Sequence, residues 1–387
     1  MSAQRRIYLD NAATTPLAPE VLEAMLPFFS QGFGNASAVH TWGREAKRAV
    51  EAARRQVMRA IGARQPQEIL FTSGGTESDN WALTGAVFSR GKPEGCHIIT
   101  SAIEHHAVLH TCQWLEKLGC RVTYLPVDGH GRVNPADVEK AICPETALVS
   151  VMMANNEVGT LQPIAEIGAI CRERNVLLHT DAVQAIGAVP VDVEALQVDL
   201  LSLSAHKFHG PKGAGALYVR RGVKLENLLH GGAQERGLRA GTENVPALVG
   251  MGKAIEMAVA DLEENAARMT RLRERLISGV MAAVENVRLN GHPTQRLPGN
   301  VNLSFDRVEG EALLLRLDLA GVAGSSGSAC TSGALDPSHV LMALGLTEAQ
   351  AQGSLRLTLG TDTTEDDVDE AVARLAPIVA DLRKLRY

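Results

Sequence analysis

Apolar runs separated by amphipathic stretches set the rhythm of the first 220 residues. The runs Glu68–Thr72, His97–Thr100, Arg121–Pro126, Ala147–Met153, Val176–Thr180, Asp199–Ser204 and Ala214–Val219 predict seven strands. Several are apolar throughout and do not alternate, as expected of strands buried on both faces of a mostly parallel sheet. Helical periodicity predicts helices over Thr76–Phe88, Ala107–Leu118, Pro135–Ala141 and Ile164–Arg174. Strand–helix alternation of this kind reads as an α/β layer with crossover connections. After about Pro246 the pattern changes. A long helical stretch, Ala247–Val284, is followed by short strand signals at Arg288–Leu289 and Asn300–Phe305, a helix from Glu309, a strand at Ser354–Leu359 and an amphipathic helix over Glu365–Leu385. These predict a second, smaller α+β domain, with the long helix as the bridge.

The composition narrows the class. A chain of 387 residues exceeds one hydrophobic core, and 45% apolar residues exclude intrinsic disorder. The 38 basic and 44 acidic side chains leave a charge of −6, which offers no footprint for nucleic acid. No apolar run approaches the ~18 residues of a membrane span. The N-terminus lacks the apolar segment of a signal peptide, so a reducing cytoplasm is expected. The 6 cysteines, at 96, 112, 120, 143, 171 and 330, show no C-x-x-C spacing, and neither a metal site nor a disulfide framework is expected.

Three segments carry candidate chemistry. Gly91-Lys92 is followed by proline and Gly252-Lys253 by alanine, so neither is a nucleotide P-loop, and no G-x-G-x-x-G is present. Ser73-Gly74-Gly75-Thr76-Glu77 follows the strand Ile69-Leu70-Phe71. It is either an anion cradle at a helix N-terminus or a plain turn with a threonine cap. Asp181, in His179-Thr180-Asp181, stands at a strand end, as a ligand carboxylate or as a helix cap. Lys207 follows another strand within Ser204-Ala205-His206-Lys207, as a Schiff-base amine or a solvated lysine. Singly none decides. Together they match pyridoxal 5'-phosphate (PLP): N–H donors for its phosphate, a carboxylate for its ring nitrogen and an amine for its aldehyde.

Over nearly its whole length the chain resembles the cysteine desulfurases of the NifS/IscS group. The matching motifs are Tyr8-Leu9-Asp10-Asn11-Ala12-Ala13-Thr14-Thr15-Pro16, Phe33-Gly34-Asn35, Phe71-Thr72-Ser73-Gly74-Gly75-Thr76-Glu77-Ser78 and Glu104-His105. They continue through Asn155-Asn156-Glu157, His179-Thr180-Asp181-Ala182-Val183-Gln184, Ser204-Ala205-His206-Lys207, Arg239-Ala240-Gly241-Thr242-Glu243-Asn244 and Ser325-Ser326-Gly327-Ser328-Ala329-Cys330-Thr331-Ser332. The resemblance implies the fold of PLP-dependent transferases of fold type I: a large PLP-binding domain over 16–259, and a small domain built from 1–15 and 260–387 that carries the Cys330 loop. It implies that Lys207 bonds PLP, Asp181 pairs with the ring nitrogen, Gln184 bonds the ring hydroxyl and His105 stacks on the ring and moves protons. Gly75, Thr76, Ser204 and His206 would hold the phosphate. Thr242 would reach the phosphate of a second subunit in a homodimer. Arg356, assisted by Asn156 and Asn35, would clamp the carboxylate of L-cysteine.

Cys330 lies in Gly324–Gly333, a run of small residues that by composition alone is an ordinary loop. The resemblance makes it the nucleophile that takes sulfur as a persulfide, and a transient iron–sulfur ligand. It also implies an iron–sulfur scaffold or other sulfur acceptor as partner, nitrogenase service included. Cys112 and Cys120 are expected to flank a helix as structural thiols. Two departures stand out: Ala36 replaces a common proline, and the chain ends at Tyr387, short of the extension with which relatives contact a scaffold, so the usual docking mode is in question. The alternatives are a PLP aminotransferase, a selenocysteine lyase, or a non-catalytic sulfur carrier on the same fold.

Overall fold

The computed structural model describes residues 5–326 and 337–385. A short strand, β1 (Ile7–Tyr8), precedes the main sheet. That sheet has seven strands: β2 (Ile69–Thr72), β3 (His97–Ser101), β4 (Arg121–Leu125), β5 (Thr146–Ser150), β6 (Leu177–Asp181), β7 (Leu200–Ser204) and β8 (Gly215–Val219). Their order is β2-β8-β7-β6-β5-β3-β4. Strands β4, β3, β5, β6 and β7 pair in parallel, and β8 alone runs antiparallel, between β7 and β2. All seven predicted strands are present, with ends that coincide or shift by up to three residues.

Burial on both faces explains the unbroken apolar runs. Ile69, Phe71, Ile99, Val149, Leu178 and Leu201 enter one core. Their neighbours Leu70, Ile98, Leu148 and Leu200 enter another on the opposite face. Helices cover both sides: α1 (Pro19–Met25), α2 (Pro27–Ser30), α3 (Thr41–Ala60), α4 (Gly75–Phe88), α5 (His106–Lys117), α6 (Pro135–Ala141), α7 (Ile164–Arg174) and α8 (Val245–Ala260). The rest of the chain forms α9 (Leu262–Ala283), β9 (Val287–Leu289), β10 (Asn300–Phe305), α10 (Gly310–Leu319), β11 (Val322–Ala323), α11 (His339–Ala343), α12 (Glu348–Gln352), β12 (Ser354–Thr358) and α13 (Glu365–Lys384). Strands β9, β10 and β12 make an antiparallel sheet. Strand β1 pairs with β11, so Ile7 and Leu9 join the core of this C-terminal region. Among the described residues no helix is long and apolar enough to cross a membrane.

Two expectations need correction. The stretch 247–284 is not one helix: α8 ends at Ala260, and Asp261 (φ −109°, ψ 20°) separates it from α9. Helix α8 packs on α3, whereas α9 packs on α13. Two buried stripes facing different partners require a break, although no glycine or proline marks it. Cys112 does not flank a helix but lies inside α5, fully buried. Helix α3, for which no expectation was formed, contributes Val50, Ala53 and Val57 to the core.

Helix α3 also buries Arg54, whose guanidinium forks onto Glu235 at 2.6 and 2.8 Å and donates to the Ile69 carbonyl at 2.7 Å. Glu235 in turn accepts from the Phe71 N–H. The pair locks α3 to the edge strand β2. Glu235→Ala leaves the buried Arg54 with only the part-exposed Glu51 at 3.1 Å as a charged partner, and is expected to cost ~3–5 kcal/mol in urea unfolding. A loss below about 1 kcal/mol would show that water or Glu51 replaces the partner.

Candidate active site

The carboxyl ends of β2, β3, β5, β6 and β7 lie along one edge of the sheet, where an open α/β layer gathers ligand groups. Beyond β2, the chain turns through Gly74 into α4, which starts with no side-chain cap. Its first-turn N–H groups therefore face an open anion position. Glycine is needed there by close approach: a Cβ on Gly75 would lie 2.7 Å from Val183 Cγ2, and one on Gly215 would lie 2.5 Å from Gly74 Cα. Ser204 closes the end of β7 opposite Gly215. His206 follows, with Nδ1 3.2 Å from Thr14 Oγ1. Burial and the neighbouring Lys207 push its imidazole down to about 4.

Lys207 sits on the short turn after β7. Its Nζ donates to the carbonyls of Ala12 (2.5 Å) and Ala13 (2.8 Å). Gln184 Nε2 shares the Ala12 carbonyl at 3.0 Å. The N-terminal segment is held across this edge by Thr15, whose hydroxyl donates to the His206 carbonyl. A cavity of about 110 Å³ opens beside Lys207, between Asn11, Gln184 and Thr358.

Asp181 ends β6, fully buried, and accepts the Val183 N–H at 2.8 Å. Burial raises its carboxyl to about 6, against the pull of that N–H and of Lys207. A buried carboxylate close to an ammonium is able to support a cationic group beside it. His105 caps α5, its Nδ1 accepting the Ala107 N–H at 3.1 Å. With Nδ1 as acceptor, the neutral ring carries its proton on Nε2. Burial and Lys207 depress it to about 4, so it stays neutral at physiological pH.

On the far side of the cleft, β12 contributes Arg356. Its two terminal nitrogens donate to the Asn156 carbonyl (3.1 Å) and to Asp10 Oδ1 (3.0 Å), and its buried Nε has no hydrogen-bond acceptor among the described residues. Asn156 thus meets Arg356 through its main chain. The structure does not join Asn35 to this group: Asn35 is exposed, and its side chain accepts from Ser37 N. Thr242 is also exposed. Its loop is tied to the start of α4 by Arg239, which forks onto Glu77 at 2.8 and 3.0 Å. Cys330 lies outside the described residues.

The class-V aminotransferase family model matches residues 7–371. The chain belongs to this family, among its cysteine desulfurases. The chain is 55% identical to the cysteine desulfurase IscS of Methanosarcina thermophila over 98% of this chain and 94% of that one. It is 54% identical to that of Clostridium botulinum strain Hall, over 98% and 96%. Among solved structures, a NifS-like protein superposes with a TM-score of 0.91 at 41% identity, covering 97% of this chain and 100% of the other. SspA in complex with cysteine superposes at 0.82 and 38% identity, covering 92% and 100%. The fold class and the PLP-dependent desulfurase activity read from the sequence are borne out.

The residues of this desulfurase fit PLP. An uncapped helix N-terminus beside Ser204 and His206 suits a phosphate dianion, a buried carboxylate suits the ring nitrogen, and Lys207 supplies the amine. Sequence reasoning assigned no role to Asp10, Asp79, Glu104 or Glu157. Asp10, Glu104 and Glu157 stood inside quoted motifs, but the ion-pair partner of Asp10 and the hydrogen-bond partner of Glu157 are 346 and 181 residues away along the chain. Glu104 accepts the Met152 N–H with both oxygens (3.0 and 3.1 Å), and burial raises it to about 8.

Proposed function

We propose that this desulfurase moves sulfur from L-cysteine to Cys330, with Lys207, His105, Asp181 and Arg356 in the roles their chemistry suits. The observation that carries this reading is the anchoring of the Cys330 segment at both ends. On one side Ser325 pairs with Arg356 through two main-chain hydrogen bonds, 3.0 and 2.6 Å. On the other, Ser338 donates to Glu157 at 2.5 Å, next to Asn156. The twelve residues between those two anchors include Cys330 in the sequence, and both anchors lie beside the residues of the proposed carboxylate clamp.

Bound PLP supplies an electron sink for the substrate's α-carbon. Arg356 receives the substrate carboxylate, its planar fork setting the α-carbon's position. Lys207, whose Nζ lies against the Ala12 and Ala13 carbonyls, takes the α-proton as the neutral amine, with neutral His105 as the adjoining proton carrier. The Cys330 thiolate attacks the substrate sulfur. The new S–S bond forms as the substrate C–S bond breaks, and the departing carbon skeleton is protonated and leaves as L-alanine. The sum is L-cysteine plus thiol giving L-alanine plus persulfide, with no external oxidant.

Gly75, Thr76, Ser204 and His206 hold the phosphate in this reading, and Gln184 the ring hydroxyl. Thr242, exposed and fixed beside the start of α4, serves a second copy in a homodimer. Residues 16–259 form the PLP-binding domain, and 1–15 with 260–387 the smaller one. The pairing of β1 with β11 supports that division. The persulfide goes to a cytoplasmic iron–sulfur scaffold or another acceptor, nitrogenase assembly included.

Arg356→Lys tests the clamp. It keeps the charge for Asp10 and loses the fork. KM for L-cysteine is expected to rise by ~10-fold or more with a smaller change in kcat. An unchanged KM would place the carboxylate elsewhere.

A further inference from the structure

Behind Asp181 lies a second buried carboxyl that the reaction as described leaves unused. Asp79 belongs to α4, which packs across β5, β6, β7 and β8. It is 1% exposed, and its Oδ1 has no hydrogen-bond donor among the described residues. Ser202 stands opposite Asp181 in the β6–β7 register. Its hydroxyl meets the Asp79 carboxyl and lies 3.0 Å from His179 Nε2. That imidazole is 3.6 Å from Asp79 Oδ1 and is held on its other side by Ser150 at 2.8 Å. The titratable groups facing Asp79 are His179 and Asp181 on β6 and Glu104 after β3, and Lys207 acts on Asp181 from beyond β7.

An ionised Asp79 has only the Ser202 hydroxyl to support it. One oxygen lacks a donor, and its histidine neighbour is neutral because burial pushes His179 down to about 3. A carboxylate stripped of water and donors is strongly disfavoured. Two carboxyls in one dry site share a proton, which rests on the member with the weaker support for charge. Asp181 has the Val183 N–H and the Lys207 ammonium. Asp79 has neither, and burial with the Asp181 charge holds it well above the usual carboxylate range.

We propose that Asp79 is a positioning residue for the desulfurase reaction: as the neutral acid of the pair, it leaves Asp181 the single negative charge facing the cofactor's ring nitrogen and braces Ser202 and His179 behind it. The proposal rests on the reading of Asp181 as the ring-nitrogen partner.

Proton counts give the sign of the test. The unfolded chain ionises Asp79 near ~3.9, whereas the fold keeps the proton well above that. The folded state holds more protons in that window, so Asp79 costs stability that grows as pH rises through it. Thermal unfolding of the PLP-free protein should therefore show Asp79→Asn more stable than the parent, with the Tm gap widening as pH rises above the usual carboxylate range. A gap that is negative or flat with pH overturns the neutral acid. PLP affinity supplies the second readout. Asp79→Ala and Ser202→Ala should each weaken PLP by ~10-fold, and Asp79→Asn should recover most of the loss, because an amide still donates. Wild-type affinity in both weakened variants overturns the positioning role. If Asp79→Ala does not fold, Ser202→Ala alone decides that arm. Asp181→Ala is the separate control: full PLP affinity there would sink the ring-nitrogen reading itself, whatever Asp79 does.

Discussion

Lys207→Ala is expected to abolish turnover, lowering kcat by on the order of 10⁴-fold or more, because it removes both the covalent partner of the cofactor and the base. The purified variant should also lose the visible absorbance that marks a lysine-bonded cofactor. Folding should survive. Lys207 is only partly buried, and its loss leaves the Ala12 and Ala13 carbonyls short of one donor, a cost of about 1–2 kcal/mol. Gln184 still donates to Ala12. A variant that kept more than about a hundredth of the parental kcat would show that Lys207 is not the base, whatever its part in binding the cofactor.

Cys330→Ala carries the second large effect, and it separates desulfuration from other PLP chemistry on this fold. Lys207, Asp181, His105 and Arg356 remain, so colour and substrate binding are expected to be those of the parent. Alanine formation from L-cysteine should fall by ~10²-fold or more, since the sulfur then has no tethered thiolate to accept it and effective concentration is lost. Persulfide on the protein, read by intact mass after cysteine treatment, should disappear with it. Parental alanine formation without Cys330 would remove the thiol from the mechanism and leave an external acceptor as the sulfur's destination. A selenocysteine lyase reading would need a marked preference for L-selenocysteine over L-cysteine in the parent protein.

Much of the site was legible because its chemistry depends on local chain geometry. A glycine pair after a strand, an aspartate at a strand end and a lysine just past another are each short-range patterns, and the parallel sheet brings strand ends to one edge whatever the loops do. The helix break at Asp261 was not legible, because it follows from α8 and α9 packing on different partners and no residue type announces it. Asn35 was named from its motif, and in the structure its side chain caps its own loop at Ser37. Thr242, read as a phosphate ligand, is exposed, and a second subunit would have to complete its contact.

The sequence by itself determined the layer architecture and the kinds of groups at the sheet edge, since both follow from periodicities of a few residues. Only the tertiary structure decided their electrical states. That Asp181 sits near 6, that His105 is neutral with its proton on Nε2, and that Asp79 lies buried with an unpartnered oxygen are consequences of burial and of partners brought together from distant parts of the chain. The same holds for Arg356, placed between Asp10 and Asn156 from 346 and 200 residues away. Desolvation and long-range charge depend on what the fold excludes and encloses, and a linear pattern of residues carries neither quantity.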